Sequence, residues 1–156
     1  MNHSWSWKTN IKIIVRDMDG KVVEVEEFHN LITTVGLNMM RDLIEGLIAD
    51  GEIKYLAWGS DNTLPALADI ALGSETARKL ITSMSEPGDG QLLTITYIAP
   101  GEAVAPPNIE EFGWFCGAAA GAGAGTGIMT SRVLYSRAKT ALESIQVQRL
   151  DQIVEA

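Results

Sequence analysis

The chain has 156 residues, of which 46% are hydrophobic and 21% are charged. This length suits one domain, or a domain with a tail, and the hydrophobic fraction is too high for a disordered chain. No apolar run approaches the roughly 18 residues of a membrane-spanning helix, and residues 1–7 lack the pattern of a secretory signal. Because the formal charge is −8, we expect no direct contact with nucleic acid. Because no membrane-spanning run is present, we also expect no membrane partner.

Alternating apolar and polar residues predict a β-hairpin over residues 11–28. An Asp-Gly pair, Asp19-Gly20, lies between the two alternating runs and is typical of a tight turn between antiparallel strands. Residues 1–10 come before this hairpin and are predicted to form an N-terminal arm. The predicted organisation is therefore an arm over 1–10 and a single β-rich domain over 11–156.

One amphipathic helix is predicted over about residues 33–49. Thr33 or Thr34 can cap its start, and Gly51 is a natural stop after Asp50. Apolar residues recur at helical spacing and are predicted to face the core. They are Leu37, Met40, Leu43, Ile44 and Leu47.

The period returns to two after the helix, and several short strands follow a long loop over residues 59–71. The predicted strands cover residues 53–58, 80–84, 92–99, 109–115, 128–135 and 144–154. About eight strands and one helix indicate an α+β, mainly β fold. We expect a β-sandwich-like domain with the helix packed on it.

A Gly/Ala-rich segment covers residues 117–127 between two predicted strands. Its glycines alternate strictly and no helix is predicted to follow, so it does not fit a dinucleotide-binding loop. We interpret it as a flexible hairpin tip that orders against a neighbouring subunit, with a simple mobile loop as the alternative. Gly121, Gly123 and Gly125 are therefore interface candidates.

No residue pattern indicates an enzyme, a metal site or a cofactor site. The histidines, His3 and His29, lack metal-ligand spacing with Cys116, and no local signature marks a nucleophile. Glu110 and Glu111 are adjacent, so on a strand they point to opposite faces and cannot act on one bond. We therefore predict no catalytic, cofactor-binding or metal-binding residues.

The four tryptophans are the remaining candidates for recognition. In an extended chain Trp5 and Trp7 place both rings on one face, where they dock either on their own domain or on a neighbouring chain. Trp58 and Trp114 lie in predicted strands and are further interface candidates. If they are exposed, they are also candidates for stacking on a sugar.

Five short signals occur in a fixed order along residues 28–140. They are Phe28 to Thr33, Tyr55 to Gly59, Leu72 to Arg78, Ile109 to Phe115, and Ser136-Arg137 with Lys139-Thr140. This order resembles a family of small structural proteins of tailed bacteriophages, of the tail-fibre-like or baseplate-associated kind. The late signal is compressed here, and the Gly/Ala-rich segment replaces a shorter turn.

The resemblance implies a virion protein that is made in the host bacterial cytoplasm and acts by oligomeric assembly. Its partners would be further copies of itself and other virion proteins, in the tail, baseplate, collar or fibre-attachment region. A capsid decoration protein is the alternative placement, and a carbohydrate- or surface-binding module is the alternative of another class. The resemblance also suggests Glu111 and Arg137 as partly buried partners that fix strand register.

Overall fold

A computed structural model of the protein describes residues 4–155, which form nine strands and one helix. The first half of the chain contains β1 (Trp5–Asp17), β2 (Val22–His29), α1 (Thr34–Glu45), β3 (Ile53–Gly59) and β4 (Glu75–Leu80). The second half contains β5 (Ser83–Ser85), β6 (Gln91–Ile98), β7 (Ile109–Cys116), β8 (Ile128–Arg137) and β9 (Glu143–Glu155).

The strands form two antiparallel sheets, which confirms the predicted α+β, mainly β class. The five-stranded sheet has the order β2-β1-β9-β6-β5, and the four-stranded sheet has the order β4-β3-β7-β8. Each sheet lies in its own compact unit of the chain. The first unit comprises residues up to 30 together with 81–102 and those from 141 onward; the second comprises 31–80 and 103–140.

The hairpin of β1 and β2 forms where the sequence predicts it. Asp17 ends β1, and its carboxylate accepts hydrogen bonds from the backbone N–H groups of Asp19 and Lys21, both at 2.9 Å. Gly20 follows with φ of +82°, a conformation that costs glycine little. The strand is longer than predicted, because residues 5–10 of the predicted arm pair with β9. Residues 1–3 of that arm lie outside the described residues.

The five-stranded sheet buries one face of β1. Ile11, Ile13 and Val15 are each at most 1% exposed, as their alternation predicts. Val147 and Ile145 of β9 lie directly opposite Ile13 and Val15 and are equally buried. These pairs fix the register, since a slip by one residue would turn the apolar side chains to the other face.

The four-stranded sheet carries its own core. Ala57, Phe115 and Met129 are fully buried and come from β3, β7 and β8 respectively. Leu72 reaches the same cluster from the loop between β3 and β4. The loop over residues 60–74 is therefore anchored on the sheet near its C-terminal end, where Leu72 lies.

The helix α1 begins as predicted and ends earlier. The Thr33 hydroxyl caps it by accepting a hydrogen bond from the N–H of Gly36 at 3.1 Å. Gly46 ends it in the left-handed conformation, with φ of +75°, instead of the predicted Gly51. The N–H of Leu47 then bonds to the carbonyl of Asp42 at 2.9 Å, which is the Schellman pattern of helix ends.

The predicted core face of α1 is wrong at three of its five residues, because Leu37, Ile44 and Leu47 are exposed, whereas Met40 and Leu43 are half-buried. The buried residues of the helix are Gly36 and Met39, whereas Leu37 is 50% exposed and Ile44 is 67% exposed. A Cβ on Gly36 would lie 3.0 Å from the Cα of Thr130 in β8. The glycine therefore allows this side of the helix to approach the strand closely, and Leu37 and Ile44 stay exposed.

Two short strands differ from the prediction. The expected strand over 80–84 is replaced by β4, which ends at Leu80, and by β5, which begins at Ser83. β4 is the edge of the four-stranded sheet and pairs with β3, whereas β5 pairs with β6 in the other sheet. The two residues between them therefore carry the chain from one sheet to the other.

Candidate functional site

The Gly/Ala-rich loop, residues 117–127, is held by a buried arginine. Arg78 of β4 forms a fork with Glu75, with distances of 2.6 Å and 3.0 Å to the two carboxylate oxygens. The same guanidinium donates to the backbone carbonyls of Gly121 at 3.0 Å and Thr126 at 2.9 Å. Glu75 in turn accepts the N–H of Gly125 at 3.0 Å. One ion pair thus satisfies three backbone groups of the loop.

The loop also closes on itself. Thr126 accepts the N–H of Gly121 at 3.0 Å and donates to the carbonyl of Gly123 at 2.7 Å. The Arg78 guanidinium lies 4.1 Å from the ring centroid of Phe115, within cation–π range. These contacts order the loop within the chain, and Gly123 and Gly125 remain exposed. That the loop takes part in an interface through Gly121, Gly123 and Gly125 is still a prediction.

A second buried ion pair anchors the loop over residues 60–74. Glu111 of β7 is fully buried and accepts hydrogen bonds from Arg132 Nε at 2.6 Å and from the N–H of Gly73 at 3.0 Å. Its other oxygen accepts the N–H of Ser74 at 2.8 Å. A Cβ on Gly59 would collide with this carboxylate, so glycine is required there by close approach.

The arginine partner of Glu111 differs from the predicted one. Arg132, five residues before Arg137 on β8, supplies the guanidinium. Arg137 lies opposite Ile109, whereas Arg132 lies opposite Gly113, two residues from Glu111 on the same face of β7. A Cβ on Gly113 would lie 2.8 Å from Leu72 Cδ2, so the glycine makes room for the leucine of the loop over residues 60–74.

Arg132 also reaches two aspartates of the same loop. Its Nη1 lies 3.3 Å from Asp69 Oδ2, and its Nη2 lies 3.9 Å from Asp61 Oδ2. The pKa of Asp61 is lowered, first by the hydrogen bond from the Thr63 N–H, then by the Thr63 hydroxyl, with a smaller effect from the charge of Arg132. These carboxylates are therefore engaged in holding the loop.

The loop and the helix both expose large apolar side chains, and we call this set of residues the helix–loop surface. It consists of Leu37, Ile44, Leu47, Leu64, Leu67 and Ile70, which are 50% to 78% exposed. The two segments meet where the N–H of Thr34 donates to the carbonyl of Leu67 at 2.8 Å. Because Asp69 bonds to Arg132, the buried ion pair positions the loop half of this surface.

The tryptophans occupy three different environments. Trp7 donates its indole N–H to Asp151 at 2.8 Å, so this ring docks within its own unit. Trp5 is 57% exposed at the start of β1 and stays available as an interface candidate. Trp58 and Trp114 are only 7% and 1% exposed, which leaves neither ring free to stack on a ligand.

The residues with reactive side chains do not converge. Cys116 is fully buried, with its sulfur 3.5 Å from the Thr130 hydroxyl. His29 is exposed at the end of β2, and His3 lies outside the described residues. Between residues 4 and 155, no group of three or more His, Cys, Asp or Glu side chains is placed to hold a metal ion.

No protein-family model, curated protein or solved structure matches this chain. The part of the chain that the structure describes also contains no helix of the length and apolarity that crossing a membrane would require.

Proposed function

We propose that this chain is a non-enzymatic building block of a tailed-bacteriophage virion and acts by packing against further copies of itself. The helix–loop surface carries the proposal. A surface helix of a monomer normally turns its apolar side chains inward, and α1 instead exposes Leu37, Ile44 and the adjoining Leu47. The virion assignment follows from the ordered sequence signals described above.

The size of the helix–loop surface favours a second copy as its occupant. A fully exposed leucine or isoleucine presents about 120 Å² of apolar surface, so the six side chains expose on the order of 450 Å². A standard interface buries about 800 Å² per partner, of which somewhat more than half is apolar. The summed exposed apolar area is therefore comparable to the apolar part of one side of such an interface, which supports the proposal of self-association.

The structure removes the observation on which the alternative of a carbohydrate-binding module was based. That interpretation depended on Trp58 or Trp114 lying at the surface, and both rings are buried. Two placements in the virion remain for the building block, the tail region and the head surface.

Light scattering on the purified full chain tests the assembly. We expect an oligomer whose dissociation constant rises at least tenfold in the double variant Leu37→Gln, Ile44→Gln. Both positions are largely exposed, so the variant should keep its fold. Glu45→Gln on the same helix is the matched control and should leave the oligomer unchanged. A monomeric wild-type chain, or a double variant with unchanged association, would contradict the proposal.

Antibody labelling of negatively stained virions tests the second half of the proposal. Label at the tail, baseplate or collar supports the tail placement, and label over the head supports the decoration alternative. Particles that carry no label at all would refute a role in the virion.

A further inference from the structure

The end of β1 extends beyond the strand that pairs with it on one side. β9 pairs with β1 along residues 5–17, whereas β2 pairs with it only along residues 10–16. Among the strands of the described chain, residues 5–8 therefore have a neighbour on the β9 side alone. An unpaired strand side of this kind presents a row of backbone N–H and C=O groups to which a further strand can hydrogen-bond.

The direction of these backbone groups follows from a contact just beyond the end of β2. The carbonyl of Thr9 accepts a hydrogen bond from the N–H of Asn30 at 3.1 Å, so the backbone groups of Thr9 point away from β9. In an antiparallel sheet the backbone groups of successive residues point alternately to the two sides of the strand. The N–H and C=O groups of Trp7 and Trp5 therefore point to the open side.

The surroundings of Trp7 agree with this direction and hold the end of β1 in place. Ile153 lies opposite Trp7 on β9, and its N–H donates to the carbonyl of Gly90 at 2.8 Å instead of to β1. The Trp7 indole N–H donates to Asp151, which also accepts two hydrogen bonds from the buried Arg149 at 2.8 Å. Because this end of the strand is already ordered, adding a strand to it costs little further conformational entropy.

The open side is complementary to itself. If Ser6 lies on a two-fold axis, antiparallel pairing places Trp5 of each copy opposite Trp7 of the other. Each of these two pairs exchanges two N–H···O=C hydrogen bonds, because both residues direct their backbone groups to the open side. Every outward N–H and C=O of Trp5 and Trp7 then has a partner in the second copy. An axis at Trp7 would instead bring the second copy's Trp5 against Thr9, whose carbonyl already has a partner in Asn30.

Two side chains at this edge also gain a partner in this register. The Ser6 hydroxyl oxygen is buried, and the described part of the chain gives it no hydrogen-bond partner. On the axis the two Ser6 residues form a non-hydrogen-bonded pair, in which side chains lie close enough for their hydroxyl groups to bond. Trp5 is 57% exposed and would pack beside Trp7 of the second copy, as cross-strand aromatic pairs do.

The distribution of charge favours a second copy at this segment over pairing through β2. The chain has a formal charge of −8, so two copies repel each other wherever acidic residues meet. Residues 5–9 include Lys8 and no acidic residue, so this segment can meet its own copy without such repulsion. β2, at the edge of the same sheet, carries Glu24, Glu26 and Glu27, and charged residues on an edge strand oppose pairing with another chain.

We propose that residues 5–7 of β1 pair edge to edge with the same residues of a second copy, so that two five-stranded sheets become continuous. The contact extends the self-assembly proposed above and in that sense rests on it. It uses no residue of the helix–loop surface, so the two contacts can be tested separately.

Cysteine cross-linking of the full chain tests this register. In a non-hydrogen-bonded pair the two Cβ atoms are about 4.5–5.5 Å apart, close to the spacing in a disulfide. We therefore expect the variant Ser6→Cys to form a covalent dimer when diamide is added, whereas the native Cys116 is fully buried and should not react. Lys8→Cys is the matched control, because the two residues 8 would lie about 13 Å apart along the strands, and it should give at least tenfold less dimer.

A second pair of variants tests the backbone hydrogen bonds in the Ser6→Cys chain. Trp5→Pro removes one outward N–H while leaving the hydrogen bonds to β9, and it should lower the yield of covalent dimer at least tenfold. Trp5→Phe retains the N–H and an aromatic ring and should cross-link nearly as well as Ser6→Cys alone. If Trp5→Pro fails to fold, hydrogen exchange of the wild-type chain replaces it. The Trp5 and Trp7 backbone amides should exchange at least tenfold more slowly at high than at low chain concentration.

The helix–loop variant separates this contact from the first. Ser6→Cys should still give the covalent dimer when it is combined with Leu37→Gln, Ile44→Gln, whether or not that double change alters light scattering. The proposal is overturned if Ser6→Cys gives no dimer, if Lys8→Cys gives as much, if the combined variant loses the dimer, or if Trp5→Pro has no effect. Amide exchange that does not depend on chain concentration would equally overturn it, including the case in which only an added extended peptide slows the exchange.

Discussion

Two buried ion pairs each hold a loop, Arg78 with Glu75 and Arg132 with Glu111, and we call them clamps. Replacing Glu111 with glutamine tests the second clamp, which holds the loop over residues 60–74. Glutamine keeps the shape of the side chain but removes its charge and turns one acceptor into a donor. The carboxylate now accepts from Arg132 and from the backbone of Gly73 and Ser74. At least one of these donors would then face the amide N–H₂, and the buried guanidinium would lose its closest counter-charge.

The expected loss is large for a single isosteric change. Removing one partner of a buried ion pair costs about 3–5 kcal/mol, because the other charge stays buried. Glutamine retains one acceptor, so we expect a loss of about 3 kcal/mol in the free energy of unfolding. A chain of this size shifts its Tm by about 2–4 °C per kcal/mol, which gives a decrease of about 10 °C.

Thermal unfolding followed by circular dichroism measures this shift. Glu110→Gln is the matched control, because the neighbouring glutamate is only half-buried, and its Tm should change by less than about 2 °C. A double-mutant cycle then identifies the partner of Glu111. The change Arg132→Gln should couple with Glu111→Gln by more than about 1 kcal/mol, whereas Arg137→Gln should be additive with it. A Tm of Glu111→Gln within the control range, or coupling to Arg137 instead, would refute the assignment.

Two further predictions concern the loops. Arg78→Lys should release the Gly/Ala-rich loop, since an ammonium cannot make the fork to Glu75 and also reach the carbonyls of Gly121 and Thr126. Hydrogen exchange of residues 121–126 should accelerate at least tenfold, and unchanged protection would disprove the clamp. Thr63→Ala should raise the pKa of Asp61 part of the way toward its ordinary value, because it removes the hydroxyl hydrogen bond, the second-largest cause of the depression, and keeps the backbone N–H that is the largest. With a lowered folded-state pKa, this carboxylate stabilises the wild type above the unfolded value of about 3.9, and the contribution is lost as pH falls through the folded value. Carbon-detected NMR titration of the carboxyl group would show the shift, and an unmoved titration would contradict it.

The parts of the fold that depend on local chemistry were predictable from the sequence. The Asp-Gly turn, the cap at Thr33 and the alternation of β1 involve residues only a few positions apart. Such signals act through backbone geometry and burial on one strand face, and tertiary packing did not override them here.

The orientation of α1 was not predictable, because both of its sides carry apolar residues. The choice depends on the close approach of Gly36 to Thr130, which is 94 positions away in the sequence. A glycine inside a helical pattern ordinarily only weakens the helix, and Gly36 and Gly46 carry no further signal in the sequence. In the structure one is a packing contact and the other is the end of the helix.

The partner of Glu111 was unpredictable for a related reason. A pair across two strands depends on register, and the β7–β8 register shifts at two places, between Ile109 and Glu111 and between Trp114 and Phe115. The resemblance suggested Arg137, which lies opposite Ile109, whereas the actual partner Arg132 lies opposite Gly113.

The two clamps bear directly on how this chain could assemble. A loop that is mobile in the free chain must lose conformational entropy when it joins an interface, and that loss weakens binding. Arg78 and Arg132 remove this cost in advance, because each holds a loop on the four-stranded sheet through buried charged hydrogen bonds. Since Leu67 and Ile70 flank Asp69, loosening the Arg132 clamp should weaken self-association even though Glu111 lies below the surface. If the Glu111→Gln variant unfolds more easily but associates as tightly as the wild type, the ion pair of Glu111 and Arg132 does not contribute to self-association.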